Sequence, residues 1–268
     1  MTAASVSLKR LQYNPAKDSV TAFSYACGYL VPCIKALHCL SHLCLLSQSL
    51  RHLNQPGTWP LTMKVIFVRH AETEWNSKGI IQGHNDSALT PRGLRETAAL
   101  LAALATADYR IECVYASPLG RAWQMGQSLA ECFRCALLAE PALKEQAFGQ
   151  FEGMSAARLR QHHPDDANAL FTLDAAYCPP GGESLAQACQ RLLDFLHRLE
   201  ETSQHQTIGM VSHGHVSQGV IAILKEGAVE NYPRYAQPNA SYSVFELING
   251  QCTDLKWGIA THLGQLDR

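Results

Sequence analysis

Two arginines, two histidines and one glutamate stand in short polar segments, each following an apolar run. Arg69-His70 comes directly after Val65-Ile66-Phe67-Val68, and Ser117-Pro118 with Arg121 after Ile111 to Tyr115. Glu145 follows Leu137 to Glu140, and His213-Gly214-His215 follows Thr207 to Ser212. These are the residue types a phosphate ester demands. A guanidinium is planar and permanently charged and grips phosphoryl oxygens as a fork, which a lysine does not. Arg69 and Arg121 fit that role. A neutral imidazole is a competent nucleophile at neutral pH, and a phosphohistidine divides one hard hydrolysis into two easier steps. That part is open to His70 or His213. The leaving alkoxide needs a proton, which a carboxylic acid kept protonated beside a phosphate dianion can give. Glu145 is the candidate. Gly214 sits at an expected helix start, where backbone N–H groups favour an anion. The cationic side chains already supply charge stabilisation, so this chemistry calls for no metal and no cofactor.

Positioning such groups requires a scaffold. Val65 to Val68 is wholly apolar and β-branched, as expected of a strand covered on both faces. Thr90-Pro91 reads as an N-cap with a proline at the first helical position, and Leu94, Ala98, Leu101 and Ala105 are expected to line the buried face of the helix. Further strands are expected over Ile111 to Tyr115, Leu137 to Glu140 and Thr207 to Ser212, with helices from about Leu119 and after Gly214. Ser184 opens a capping box with Gln187, followed by an apolar stripe of Leu185, Ala188, Leu192, Leu196 and Leu199. Tyr242 to Ile248, Asn249-Gly250 and Cys252 to Trp257 read as a terminal hairpin or pair of edge strands. Alternation of this kind predicts an α/β fold with a mostly parallel sheet flanked by helices on both faces. Its ligand site would lie beyond the carboxyl ends of the strands, where the chemical residues stand.

Composition sets the outer bounds. A chain of 268 residues with 47% hydrophobic and 17% charged residues has a globular composition, and its net charge of −1 gives no whole-chain argument for nucleic acid or anionic membrane as partner. The longest apolar attempt, Val20 to Leu46, is broken by Pro32, Lys35, His38 and His42 before reaching the ~18 residues of a membrane span. Residues 1–62 carry +4 and residues 63–268 carry −5. We therefore expect an N-terminal extension, 1–62, with a helix over Ile34 to Leu53. It is read as a product of an upstream start, a targeting segment or a docking element, ahead of a domain over 63–268. The ten cysteines are irregularly spaced and read as reduced thiols of a cytoplasmic protein, the lone Cys132-x-x-Cys135 included.

The run Arg69-His70-Ala71-Glu72-Thr73-Glu74-Trp75-Asn76 resembles the signature of the histidine phosphatase superfamily, the phosphoglycerate mutase-like family. The resemblance covers essentially all of 63–268. Gln82-Gly83, Asp86 and Leu89-Thr90 with Gly93 resemble its second block, and Ser117-Pro118 with Arg121-Ala122 its third. Glu145 with Phe148-Gly149 and Glu152-Gly153 resembles the acid-bearing block, and Gly181 to Ser184 and Val211 to His215 complete the order. The resemblance implies a phosphoglycerate mutase-like three-layer sandwich with His70 as phosphorylated nucleophile. It further implies Arg69, Arg121 and His213 around the phosphate, Glu145 as acid and then base, and Asn76 and Gln82 at positions that often touch phosphate or substrate. Ala71 replaces the commoner glycine, and Met125-Gly126 stands where the family often has Thr-Ala.

Other uses of these residues are weaker. His213-x-His215 could be half of a metal site, but matching partners are missing and two arginines would repel a cation. His215 reads as a residue that packs or supports the site from behind, His162-His163 as solvated, and Glu72 and Glu74 as orienting the loop or facing water. Three functions follow: a metal-independent phosphatase of a small phosphorylated metabolite, a phosphoglycerate mutase-type transferase, or a non-catalytic binder of phosphorylated ligands. Met154 to Cys178 offers only Arg158 and Arg160 among arginines and lysines, against the additional cationic segments of the mutases, which favours the phosphatase.

Overall fold

β1 (Met63–Arg69) is hydrogen-bonded on both sides, to β4 (Thr207–Ser212) in parallel and to β5 (Tyr242–Ile248) antiparallel. A strand so placed can hide apolar residues on both faces, and its alternate side chains do enter two cores. Val65 and Phe67 pack with α6 (Leu185–Thr202) and α7 (Gly214–Glu226), while Ile66 and Val68 pack with α2 (Pro91–Thr106) and α3 (Gly120–Phe133). The sheet runs β3-β2-β4-β1-β5-β6, where β2 is Cys113–Ala116, β3 Ala136–Ala139 and β6 Gln251–Ile259. β3, β2, β4 and β1 are parallel, and β5 and β6 form the antiparallel edge hairpin. This is the expected α/β three-layer sandwich. The computed structural model describes residues 62–171 and 174–266, all within the compact unit Pro56–Arg268. The helix expected over Ile34 to Leu53, and everything before Thr62, lie outside the described residues.

Local chemistry explains the helix ends. Ser184 and Gln187 form the anticipated capping box of α6, with Leu185, Ala188, Leu192, Leu196 and Leu199 buried below it. Thr90 caps α2 by accepting the Gly93 N–H at 2.9 Å. The buried face of α2 is not the expected one: Gly93, Glu96, Leu100 and Leu104 are inside, and of the expected residues Leu101 alone packs on the core, partly buried, whereas Ala98 and Ala105 are exposed and Leu94 is 60% exposed. The cause is Glu96, a carboxylate turned inward because it accepts the Glu72 N–H at 2.9 Å and bonds Arg92 at 3.0 Å. A charged residue at a core position shifts the apparent apolar stripe by one residue. At Gly126 in α3, an added Cβ would lie 2.6 Å from the Ala116 Cβ. The departure at Met125-Gly126 therefore goes with close packing of α3 on β2. Two short helices complete the elements used below, α4 (Ala156–His162) and α5 (Pro164–Phe171). Among the described residues no helix is long and apolar enough to cross a membrane.

Candidate active site

The register of the parallel strands gathers the chemistry. Arg69 pairs with Ser212, and Ala116 with Val211, so the chain leaves β1, β2 and β4 side by side at their carboxyl ends. The His70 N–H donates to the Ser212 carbonyl at 3.1 Å and the Ser117 N–H to the Val211 carbonyl at 3.0 Å. His70 and His213 are thereby brought to 5.1 Å between ring centroids. Both are buried, His70 to 3% exposure and His213 completely.

The ring nitrogens of His70 are in distinct environments. Nδ1 lies 2.8 Å from the Ala71 carbonyl oxygen, which can only accept, so Nδ1 carries the proton and Nε2 the lone pair. Arg121 Nε donates to that Nε2 at 3.3 Å. Burial, with Arg121 and then Arg69 beside it, holds the imidazole well below the ordinary histidine pKa, so His70 is neutral at pH 7. Asn239 Nδ2 bonds the His70 carbonyl at 3.0 Å and Asn76 Oδ1 at 3.3 Å. His213 is also pushed well down, by burial first and Arg121 second. Its Nε2 meets Ser117 Oγ at 2.8 Å, and its buried Nδ1 has no partner among the described residues.

The two guanidiniums are held differently. Arg121 gives Nη1 to the Asn85 carbonyl and to Asp86 Oδ1, each at 2.7 Å, and Nη2 to the Gly83 carbonyl at 2.8 Å. Asp86 also takes the Gly120 N–H at 2.6 Å, tying the start of α3 to the same anchor. Arg69 bonds the Gln237 carbonyl through Nη1, and its buried Nε has no partner among the described residues. Desolvation lowers its pKa, and the charges of Glu145 and Glu96 oppose that effect. Buried polar nitrogens left unpaired in a protein are rare and costly. Arg69 Nε and His213 Nδ1 are two such atoms beside one imidazole.

Glu145 occupies the start of α7. Its Oε1 accepts the Gln146 and Val216 N–H groups at 3.1 and 2.9 Å, and Oε2 the His215 N–H at 3.1 Å. Arg191 donates Nη2 to the Glu145 carbonyl at 2.9 Å and to Glu183 Oε1 at 2.8 Å, fixing the segment from α6. The anion expected at this helix terminus is thus a carboxylate of the protein. Gly214 contributes by its lack of a side chain: a Cβ there would stand 3.0 Å from Arg69 Cζ and 3.2 Å from Nε.

A cavity of about 160 Å³ opens over these groups. Six of the eight residues singled out from sequence line it: Arg69, His70, Asn76, Gln82, Arg121 and Glu145. His213 and Gly214 do not; they back His70 and Arg69. Asn76 spends Oδ1 on the Thr73 N–H and hydroxyl, as the third residue of the capping box of α1 (Glu74–Ser77). Gln82 is fixed at both ends, by Thr73 at 2.9 Å and Ser87 at 3.2 Å. Sequence reading missed Gln237 and Asn239. Their one signal is position: the polar run Gln237 to Ser241 precedes β5, the strand that lies against β1. A larger, open groove of about 520 Å³ between α2 and the 261–265 turn is lined by Ala99, Ala102 and Ala103 with Tyr242 and His262, and touches none of this chemistry.

The family model of the histidine phosphatase superfamily, branch 1, matches residues 65–260. The chain belongs to that superfamily. It is 30% identical over 203 residues to phosphoserine phosphatase 1 of Hydrogenobacter thermophilus, covering 76% of this chain and 95% of that one. It is 28% identical over 205 residues to the metal-independent phosphoserine phosphatase of Arabidopsis thaliana, covering 76% and 84%. Among solved structures, the alpha-ribazole phosphatase of Shigella flexneri superposes with a TM-score of 0.65 at 25% identity, covering 74% of this chain and 96% of that one.

Proposed function

We propose that this histidine phosphatase hydrolyses a small phosphorylated metabolite through a phosphohistidine at His70, without a metal ion. One observation carries the reading: the Nδ1–H of His70 is committed to the Ala71 carbonyl, which leaves the Nε2 lone pair for phosphorus beside two guanidiniums. The incoming phosphoryl group takes over the Arg121 N–H from Nε2, and its oxygens pair Arg69 where that guanidinium lines the cavity, with His213 behind the imidazole. Nε2 then forms the N–P bond as the ester P–O bond breaks. The departing alkoxide takes its proton from Glu145. Oε2 accepts one backbone N–H against two at Oε1, so Oε2 is the oxygen with room for that proton. In the second half a water attacks phosphorus and gives a proton to the Glu145 carboxylate. The P–N bond breaks, its electron pair returns to Nε2, and inorganic phosphate leaves.

Small size of the cavity and the phosphatase relatives support a metabolite ester as substrate. The test is hydrolysis of an aryl phosphate by the full chain in excess chelator. We expect full activity there and a loss of at least three orders of magnitude in His70→Ala; dependence on added metal, or activity surviving in the variant, would overturn the proposal.

A further inference from the structure

The lining joins the cationic groups of the phosphoryl end to an apolar wall made by Ile80, Ile81, Phe148, Leu170 and Phe171. Among the described residues, Arg69 and Arg121 are the only guanidiniums in the lining, and no lysine joins them. Four of the five N–H groups of Arg121 are already used within the protein. The Gln82 amide is bonded at both ends, and Glu145 adds a carboxyl group. Arg160, in α4, lies with Cζ 4.8 Å from the Phe171 ring centroid and is not part of the lining. Among the described residues that line the cavity, no cation beyond the two that hold the phosphoryl group faces a carboxylate or second phosphate on the alcohol half, and Arg160 is engaged on the Phe171 ring; burying an unmatched charge is costly. The whole cavity, phosphoryl end included, measures about 160 Å³, which leaves room for only a short alcohol half beside the phosphoryl group.

We propose, on top of the phosphatase reading, that the physiological substrate class is the phosphate monoester of an uncharged, largely apolar alcohol of a few carbons. Its hydrocarbon lies on Phe148, Leu170 and Phe171. The named relatives above include phosphoserine phosphatases, whose substrate has a carboxylate and an ammonium group; the wall described here favours neither.

The experiment compares kcat/KM of the full chain for methyl, propyl and 3-methylbutyl phosphate with that for O-phosphoserine and 3-phosphoglycerate. Burial is worth about fourfold per methylene, so kcat/KM is expected to climb by about that factor with each added carbon. Propyl phosphate should exceed O-phosphoserine by at least tenfold. The serine oxygen is the better leaving group, so intrinsic reactivity works against the expected order. Phe171→Ala, at an exposed position, and Phe148→Ala should each flatten the dependence on chain length. A flat series in the unmodified protein, a preference for the carboxylated esters, or an unchanged slope in both variants overturns the substrate class while leaving the phosphohistidine reading standing. Failure to hydrolyse any ester overturns both.

Discussion

Replacing Gly214 with alanine isolates the placement of Arg69 from the stability of the fold. The new Cβ would stand 3.0 Å from Cζ, 3.2 Å from Nε and 3.3 Å from Nη2 of Arg69. Ordinary contact begins near 3.4 Å, so the guanidinium must retreat by a few tenths of an ångström, and its bond to the Gln237 carbonyl resists the move. A misplacement of about 1 Å costs roughly 100-fold in rate; a shift of about half that size is therefore worth about tenfold in kcat/KM. Alanine is the better helix residue, by up to ~1 kcal/mol, and Gly214 is the first residue of α7. Activity should thus fall about tenfold while the urea midpoint stays put or rises. Inhibition by inorganic phosphate should weaken in the same proportion, because Arg69 is assigned to the phosphoryl oxygens. Activity within twofold of the parent, or a loss matched by destabilisation, would refute this reasoning about Arg69.

Glu145→Gln should slow alkyl phosphates by at least 100-fold and p-nitrophenyl phosphate far less, since only the poor leaving group needs the proton; equal losses would remove Glu145 from the acid role. Asp86→Ala frees both Arg121 and the start of α3, and kcat/KM should drop about tenfold, as read by steady-state kinetics. Burial and Arg121 keep His70 and His213 unprotonated in the fold, whereas in the unfolded chain both take up protons as pH falls through about 6.5. Stability present above pH 6.5 is therefore lost on acidification, at up to about 2.7 kcal/mol per pH unit from the pair. Urea unfolding at pH 7.5 and 5.5 should show this loss about halved in His70→Gln; an unaltered slope would contradict it.

The strand ends and their polar sequels were legible because β1 and β4 are built on short apolar runs, Val65 to Val68 and Ile208 to Val211, and the residues after them are of unusual type. Parallel alternation then dictated that Arg69, His70, Ser117 and His213 share one edge. Three features escaped for physical reasons. Glu96 is buried by bonds to Glu72 and Arg92, which no apolar periodicity reveals, and it displaced the expected face of α2. Gln237 and Asn239 reach the site only because β5 folds back beside β1, a long-range pairing with no local signature. The terminus of α7 is expected to offer its N–H groups to a substrate anion, yet those of His215 and Val216 go to Glu145, 69 residues before Gly214, and nothing local announces that pairing.

The most direct test is to quench the full chain during turnover and locate the phosphate by mass spectrometry under conditions that preserve phosphohistidine. A phosphoryl group stable to base, labile to acid and confined to His70 is the expected result. Phosphate on any other side chain, or undiminished turnover with His70 never modified, would contradict it.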